Sequence, residues 1–232
     1  MMPNRDQRSQ SGATRAIMAQ ALPPVESDVL NGSAPRNGAR LLFARTFLKN
    51  PIMLGSVIPS SRFLIDAVLE PIDWPRTDIL VEYGPGVGTI TGEILKRMRP
   101  TTKLIIIEMN KEFVGFLRET FNDPRLVVID GSAVNVRQVL AQHGYENADY
   151  IISGIPLGSM PLTVRERIVR ETKEALAPGG AFIVYQFTSR VLPELQRVFE
   201  VVKRGREWLN VLPAHLFFCA AAPAGQNGAG PP

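Results

Sequence analysis

Val81-Glu82-Tyr83-Gly84-Pro85-Gly86-Val87-Gly88-Thr89 sets three glycines at alternate positions directly behind an apolar run. The run, Ile79 to Tyr83, is short and rich in branched side chains, and the residues from Thr89 to Met98 follow a helical period, so the glycines occupy a strand-to-helix turn. Glycine there permits a tight turn and lets a ligand come close to backbone N–H groups at a helix start. A dinucleotide fingerprint needs glycine at the sixth position of G-x-G-x-x-G, and that position is Thr89. The spacing is instead G-x-G-x-G, with Glu82 two places before the first glycine.

Outward from this turn, short apolar runs alternate with helical segments. Leu104 to Ile107, Leu126 to Ile129, Tyr150 to Ser153 and Ala181 to Phe187 read as buried strands. Lys111 to Phe121, Val134 to His143 and Val164 to Ala177 read as helices, the last stopped by Pro178-Gly179-Gly180 and a turn. Such alternation predicts a mostly parallel sheet with helices on both faces. Phe199 to Lys203 and Leu216 to Ala220 add two strands as a hairpin-like terminal pair, and Arg62 to Leu69 forms a helix ahead of the sheet.

The glycine turn, with its preceding acid, resembles motif I of class I S-adenosylmethionine-dependent methyltransferases. The fold expected is therefore α/β and Rossmann-like, a mostly parallel seven-stranded sheet with helices on both faces, plus an N-terminal amphipathic helix. The resemblance implies S-adenosylmethionine as cofactor, contacted by Glu82, Tyr83, Gly84, Pro85, Gly86, Gly88 and Thr89. Glu108 ends the second strand beside Met109, where a carboxylate can accept both ribose hydroxyls. Asp130 ends the third, followed by Gly131, Ser132 and Ala133, and is placed for the adenine amino group; Ser153 ends the fourth. A carboxylate at a strand end is commonly just solvated, but several in series mark the edge where open α/β sheets bind ligands. In a non-catalytic binding module these acids and glycines would be idle.

After the fourth strand comes Ser153-Gly154-Ile155-Pro156-Leu157-Gly158. Adenine-N6 methyltransferases carry Asn-x-Pro and a base-stacking aromatic here; this chain has neither the Asn nor the aromatic, so a flipped base finds little to hold it. Together with Leu48-Lys49-Asn50-Pro51 and Gly55-Ser56-Val57-Ile58-Pro59-Ser60-Ser61-Arg62, these residues resemble the bacterial phospholipid N-methyltransferases, from about Leu41 to Ala220. That resemblance implies stepwise N-methylation of phosphatidylethanolamine toward phosphatidylcholine. The alternatives are another aminolipid, such as an ornithine lipid, or ribosomal RNA adenine N6-dimethylation.

The chain has 232 residues, 45% hydrophobic and 21% charged, enough for one domain with a sizeable core. Residues 1–37 and 223–232 read as flexible tails, 38–50 as an amphipathic helix and 51–222 as the methyltransferase domain. The lone Cys219 makes no internal disulfide, and no run reaches the roughly 18 to 20 apolar residues that span a bilayer. The expected location is cytoplasmic, peripheral on the inner face of the membrane. The formal charge of +4 sits in residues 1–50, which hold seven basic and three acidic side chains. On a helix over 38–50, Leu41, Phe43, Phe47 and Leu48 share an apolar arc opposite Arg45 and Lys49. The same face suits packing on the domain; the family resemblance favours an anionic membrane surface as partner. No nucleic acid or obligate protein partner is expected.

Candidate substrate contacts are Ser60, Ser61 and Arg62, which suit a lipid phosphate, although the serines equally suit a helix cap. Tyr185, near a strand end, suits a choline-like cation or the core, as does Tyr83. Pro51 to Pro59 reads as a lid or as core filling. No metal ligand set and no obvious base stand out, and His143 and His215 read as surface or packing residues.

Overall fold

Three consecutive branched apolar residues, Ile79, Leu80 and Val81, favour extended backbone and open strand β1 (Ile79–Tyr83). In the computed structural model, which describes residues 61–207 and 213–220, β1 lies inside a seven-stranded sheet. Its parallel neighbours are β2 (Lys103–Glu108) and β4 (Ala148–Ser153). Beyond them lie β3 (Leu126–Asp130) and β5 (Leu176–Gln186), also parallel. Strand β7 (Ala214–Ala220) inserts antiparallel between β5 and β6 (Val201–Glu207), giving the order β3-β2-β1-β4-β5-β7-β6. The order reverses between β1 and β4, so their carboxyl ends flank the crevice in which such sheets bind ligands.

Helices cover both faces. On one, α1 (Arg62–Leu69), α2 (Thr89–Arg97) and α3 (Lys111–Thr120) bury Leu64, Val68, Ile90, Ile94, Phe113 and Leu117 against Leu80, Leu104 and Ile106. On the other, α4 (Val136–Gln142), α5 (Leu162–Ala175) and α6 (Leu192–Val198) cover Val81, Tyr83, Ile105 and Ile151. Burial on both faces is why the central strands are continuously apolar rather than alternating. Asp66 of α1 pairs with Arg97 at the end of α2, and a buried Arg165–Glu194 pair at 2.8 Å joins α5 to α6.

The fold class is the one expected, and β1 and α1 span the anticipated residues. Three local readings change. Pro178-Gly179-Gly180 does not stop a helix: α5 ends at Ala175, and these residues form a bulge inside β5, between the pairs Ala148↔Leu176 and Tyr150↔Ala181. Gly179 takes φ +80, open to glycine at little cost, and a Cβ on Gly180 would lie 2.7 Å from the Asp149 carbonyl oxygen. The Val134–His143 helix is a short 3-10 turn, Ala133–Asn135, running into α4. Helix α6 was unanticipated. The tails, the 38–50 helix and residues 51–60, 208–212 and 221–222 of the expected domain lie outside the described residues.

Candidate active site

Glu82 points from β1 toward α2, 1% exposed, and its Oε2 accepts a 2.6 Å hydrogen bond from the Thr91 hydroxyl. Its Oε1 is buried with no partner among the described residues. Burial, opposed by the Thr91 bond and aided by the Glu108 charge, pushes the Glu82 carboxyl up to about 7. An orphaned buried carboxylate oxygen is costly unless a ligand donates to it.

The three turn glycines all take positive φ, 64° at Gly84, 57° at Gly86 and 77° at Gly88, but serve different ends. A Cβ on Gly84 would lie 2.4 Å from Ile155 Cγ2, and one on Gly88 would lie 2.4 Å from the Phe121 ring. Those two admit neighbouring side chains. Gly86 directs its N–H to Glu108 Oε2 at 3.3 Å. Gly88 donates its N–H to the Pro85 carbonyl, closing the turn, and α2 then starts at Thr89 without a side-chain cap.

Glu108, buried at the end of β2, also accepts from Asn110 N–H at 2.9 Å through Oε1. Burial raises its proton affinity, and the N–H donors of Asn110, Gly86 and Met109 counter this. Met109 is 68% exposed beside it. Asp130 pairs in register with Glu108 and is exposed, so the two acids reach the crevice side by side. Gly131 donates to the Glu108 carbonyl, Ser132 caps the following turn weakly at 3.5 Å, and Ala133 is buried beneath.

On the far side of the crevice, Ser153 is fully buried, and its hydroxyl has no partner among the described residues. Gly154 donates to the Tyr83 carbonyl, tying the ends of β4 and β1 together. Leu157, in the place of the stacking aromatic, is buried in the core. Gln186 holds the loop: its Nε2 donates to the Ile155 carbonyl at 2.5 Å and its Oε1 accepts from Gly158 N–H at 3.2 Å. Tyr185 lies over Gly154, where a Cβ would meet its hydroxyl at 2.1 Å.

The Tyr83 side chain does not join the site. It is fully buried on the opposite face, shares a 3.1 Å hydrogen bond with Thr172 and packs against Phe182, so only its backbone borders the crevice. Ser61 is the α1 cap, accepting from Leu64 N–H at 3.2 Å, and Arg62 is exposed beside Asp66. Ser60 and the candidate membrane residues Leu41, Phe43, Arg45, Phe47, Leu48 and Lys49 lie outside the described residues. His143 ends α4 and is exposed. His215 stacks on Phe217 across the sheet from Tyr185, and burial with two nearby arginines lowers its pKa. Burial pushes the Cys219 thiol up to about 12, which leaves it inert. No cluster of metal-ligating side chains occurs among the described residues.

Two contacts had no place in the sequence reading. Thr91 is an ordinary helical polar residue and gives no signal. Gln186 does give one, because it is polar inside the otherwise apolar run Phe182 to Phe187.

These groups fit an adenosyl cofactor. Glu82 has an unused buried oxygen, Glu108 and Asp130 lie in register, and the Gly86 N–H already holds a carboxylate. A family model for the methyltransferase small domain matches residues 55–207. The ornithine lipid N-methyltransferase of Singulisphaera acidiphila is 34% identical over 187 residues, 77% of this chain and 94% of that protein. The ribosomal RNA small subunit methyltransferase A of Mycoplasma capricolum is 30% identical over 95 residues, 40% of this chain and 34% of that protein. The solved CurJ carbon methyltransferase superposes with a TM-score of 0.54 at 17% identity, over 75% of this chain and 59% of that one, a likeness of fold alone.

Proposed function

Because the chain belongs to the methyltransferase small-domain family, as a class I S-adenosylmethionine-dependent enzyme, we propose that its acceptor is the amine of a lipid headgroup. An ornithine lipid ranks first and phosphatidylethanolamine second, the reverse of the order drawn from the sequence. The observation that carries this is the extent of the match: 94% of the ornithine lipid enzyme, against 34% of the ribosomal RNA enzyme. Leu157, turned into the core where a stacking aromatic would stand, also disfavours a nucleobase.

When bound, S-adenosylmethionine would supply the methyl group, as an electrophilic carbon on a sulfonium. The chain's part is to hold and orient. Glu82 Oε1 would receive the cationic end of the cofactor, Glu108 its ribose and Asp130 its adenine amino group, with Gly86 allowing close backbone approach. The acceptor arrives as an ammonium and must lose a proton before its lone pair is free. His215 lies across the sheet, and the one unused oxygen of Glu82 is assigned to the cofactor, so the proton leaves to water from the crevice.

Exposed apolar side chains support a membrane-borne substrate. Phe63 in the first turn of α1 and Leu162 in the first turn of α5 are 56% and 49% exposed. No helix among the described residues is long and apolar enough to cross a membrane. The reading is therefore of an enzyme that docks on the anionic cytoplasmic face of the membrane, with Arg62 near lipid phosphate.

The test mixes the purified protein with methyl-labelled S-adenosylmethionine, total RNA and vesicles holding an ornithine lipid and phosphatidylethanolamine. Label in methylated ornithine lipid is the expected result, and label in phosphatidylethanolamine restores the order drawn from the sequence. Label in RNA alone refutes the lipid reading.

A further inference from the structure

Along the carboxyl edge, on the face that carries α1 to α3, a row runs from Gly84 through Gly154 to Tyr185. Gly84 stands two residues past Glu82, Gly154 two past Ile152 and Tyr185 two past Ile183, and those three precursors are neighbours in register. Two members of the row have no side chain, and the third fills the gap. The Tyr185 ring leans from β5 across β4 until its hydroxyl occupies the place of a Gly154 side chain. The Gly84 carbonyl lies 3.3 Å from the same point, so the phenol ends at the mouth of the glycine turn.

The ring is anchored among apolar side chains, so packing sets the position of the hydroxyl. Burial, with the nearby Glu82 charge, raises its pKa, so it stays a neutral phenol. A neutral phenol oxygen can accept an N–H and leave a nitrogen lone pair uncommitted.

We propose that the Tyr185 hydroxyl, seated over Gly154, positions the acceptor amine by accepting one of its N–H bonds, and so favours the early methylations over the last. The inference rests on the aminolipid reading. A neutral primary amine has two N–H bonds and a monomethyl amine one, so either can donate to Tyr185 and keep its lone pair for the methyl group. A dimethyl amine has none, and the phenol gives it no such help.

The experiment compares wild type with Tyr185→Phe on the primary, monomethyl and dimethyl forms of the lipid amine, beside calorimetric titration with S-adenosylmethionine. The expected result is a loss of about tenfold in kcat/KM on the first two forms and under about twofold on the third. Cofactor affinity should stay within about twofold of wild type. An equal loss on all three forms, no loss at all, or a matching loss of cofactor affinity overturns the proposal.

Gly154→Ala supplies a check that holds however many methyl groups the wild type adds. Its Cβ displaces the hydroxyl, so it should reproduce the Tyr185→Phe loss, and the double variant should lose no more than either single one. Additive losses overturn the pairing. A wild type that methylates no aminolipid refutes the parent reading and this one with it, whereas an active wild type matched by Tyr185→Phe refutes this one alone.

Discussion

The turn after β1 and the loop after β4 face each other across one crevice, yet they are held in contrasting ways. On the β1 side the restraints are polar and open to exchange: Glu108 grips the Gly86 N–H, and Glu82 spends one oxygen on Thr91 and leaves the other unused. On the β4 side the restraints are internal. The Gln186 amide clamps Ile155 and Gly158, Ile155 fills the space above Gly84, and Tyr185 fills the space above Gly154. A ligand on the first side can take over hydrogen bonds the chain makes with itself. On the second side it meets a surface already shaped by packing, suited to choosing among acceptors.

The sharpest way to break this division is to strike where the two sides touch. Gly84→Val meets Ile155 and a φ of +64 together, and should cost about 3 kcal/mol or more, read as a shift in the urea midpoint. Both cofactor binding and methylation should fall with it. Gly86→Asp should act on one side only, because it sets a like charge against Glu108. Cofactor affinity should fall by about a hundredfold by calorimetry, while adsorption to anionic vesicles is retained.

Glu82 offers a test through pH. Its carboxyl is raised from an ordinary 4.5 to about 7, so the folded chain holds a proton that the unfolded chain has released between those values. The resulting stabilisation is complete below about 4.5 and is lost as pH rises through 7, on the order of 3 kcal/mol. Glu82→Gln should shrink that decline; a denaturation midpoint with unchanged pH dependence would show that Glu82 does not titrate there. Glu108, raised in the same sense, should leave a residual slope.

Gln186→Ala leaves the Ile155 carbonyl and the Gly158 N–H without their partner and should cost about 1–2 kcal/mol. Its kinetic mark should be a higher KM for lipid with little change for S-adenosylmethionine, and the reverse would merge the two sides. The smallest effect is expected at Arg62, exposed and loosely paired with Asp66. Arg62→Ala should leave stability within about 0.5 kcal/mol but weaken vesicle adsorption in a cosedimentation assay.

Much of this arrangement is legible in the sequence because its signals are local. Ile79 to Tyr83, with its glycine turn, declares a strand, and Ser61 before an amphipathic stretch declares the start of α1. Glu108 and Asp130 are legible because a charge that ends an apolar run stands at a sheet edge. What escapes is set by tertiary neighbours. Gly88 reads as a ligand-facing glycine, but its missing Cβ makes room for Phe121, thirty-three positions away in the chain. Tyr83 reads as lining the site because it adjoins the turn, yet strand alternation sends it to the opposite face. Pro178-Gly179-Gly180 has the composition of a helix stop, and only the pairing with β4 reveals a bulge. Helix α6, with Pro193 in its first turn and only seven residues, carries too little periodicity to detect.

Strand β7 has a consequence for how the molecule is made. Both β5 and β6 pair with it, and among the described residues β6 pairs with no other strand. With only the first six strands in place, β5 would stand bare at the edge of the sheet. Residues 214–220 must emerge before that edge is covered and β6 gains a place. Until then β5 is an open strand edge, the kind of surface on which a neighbouring polypeptide can pair.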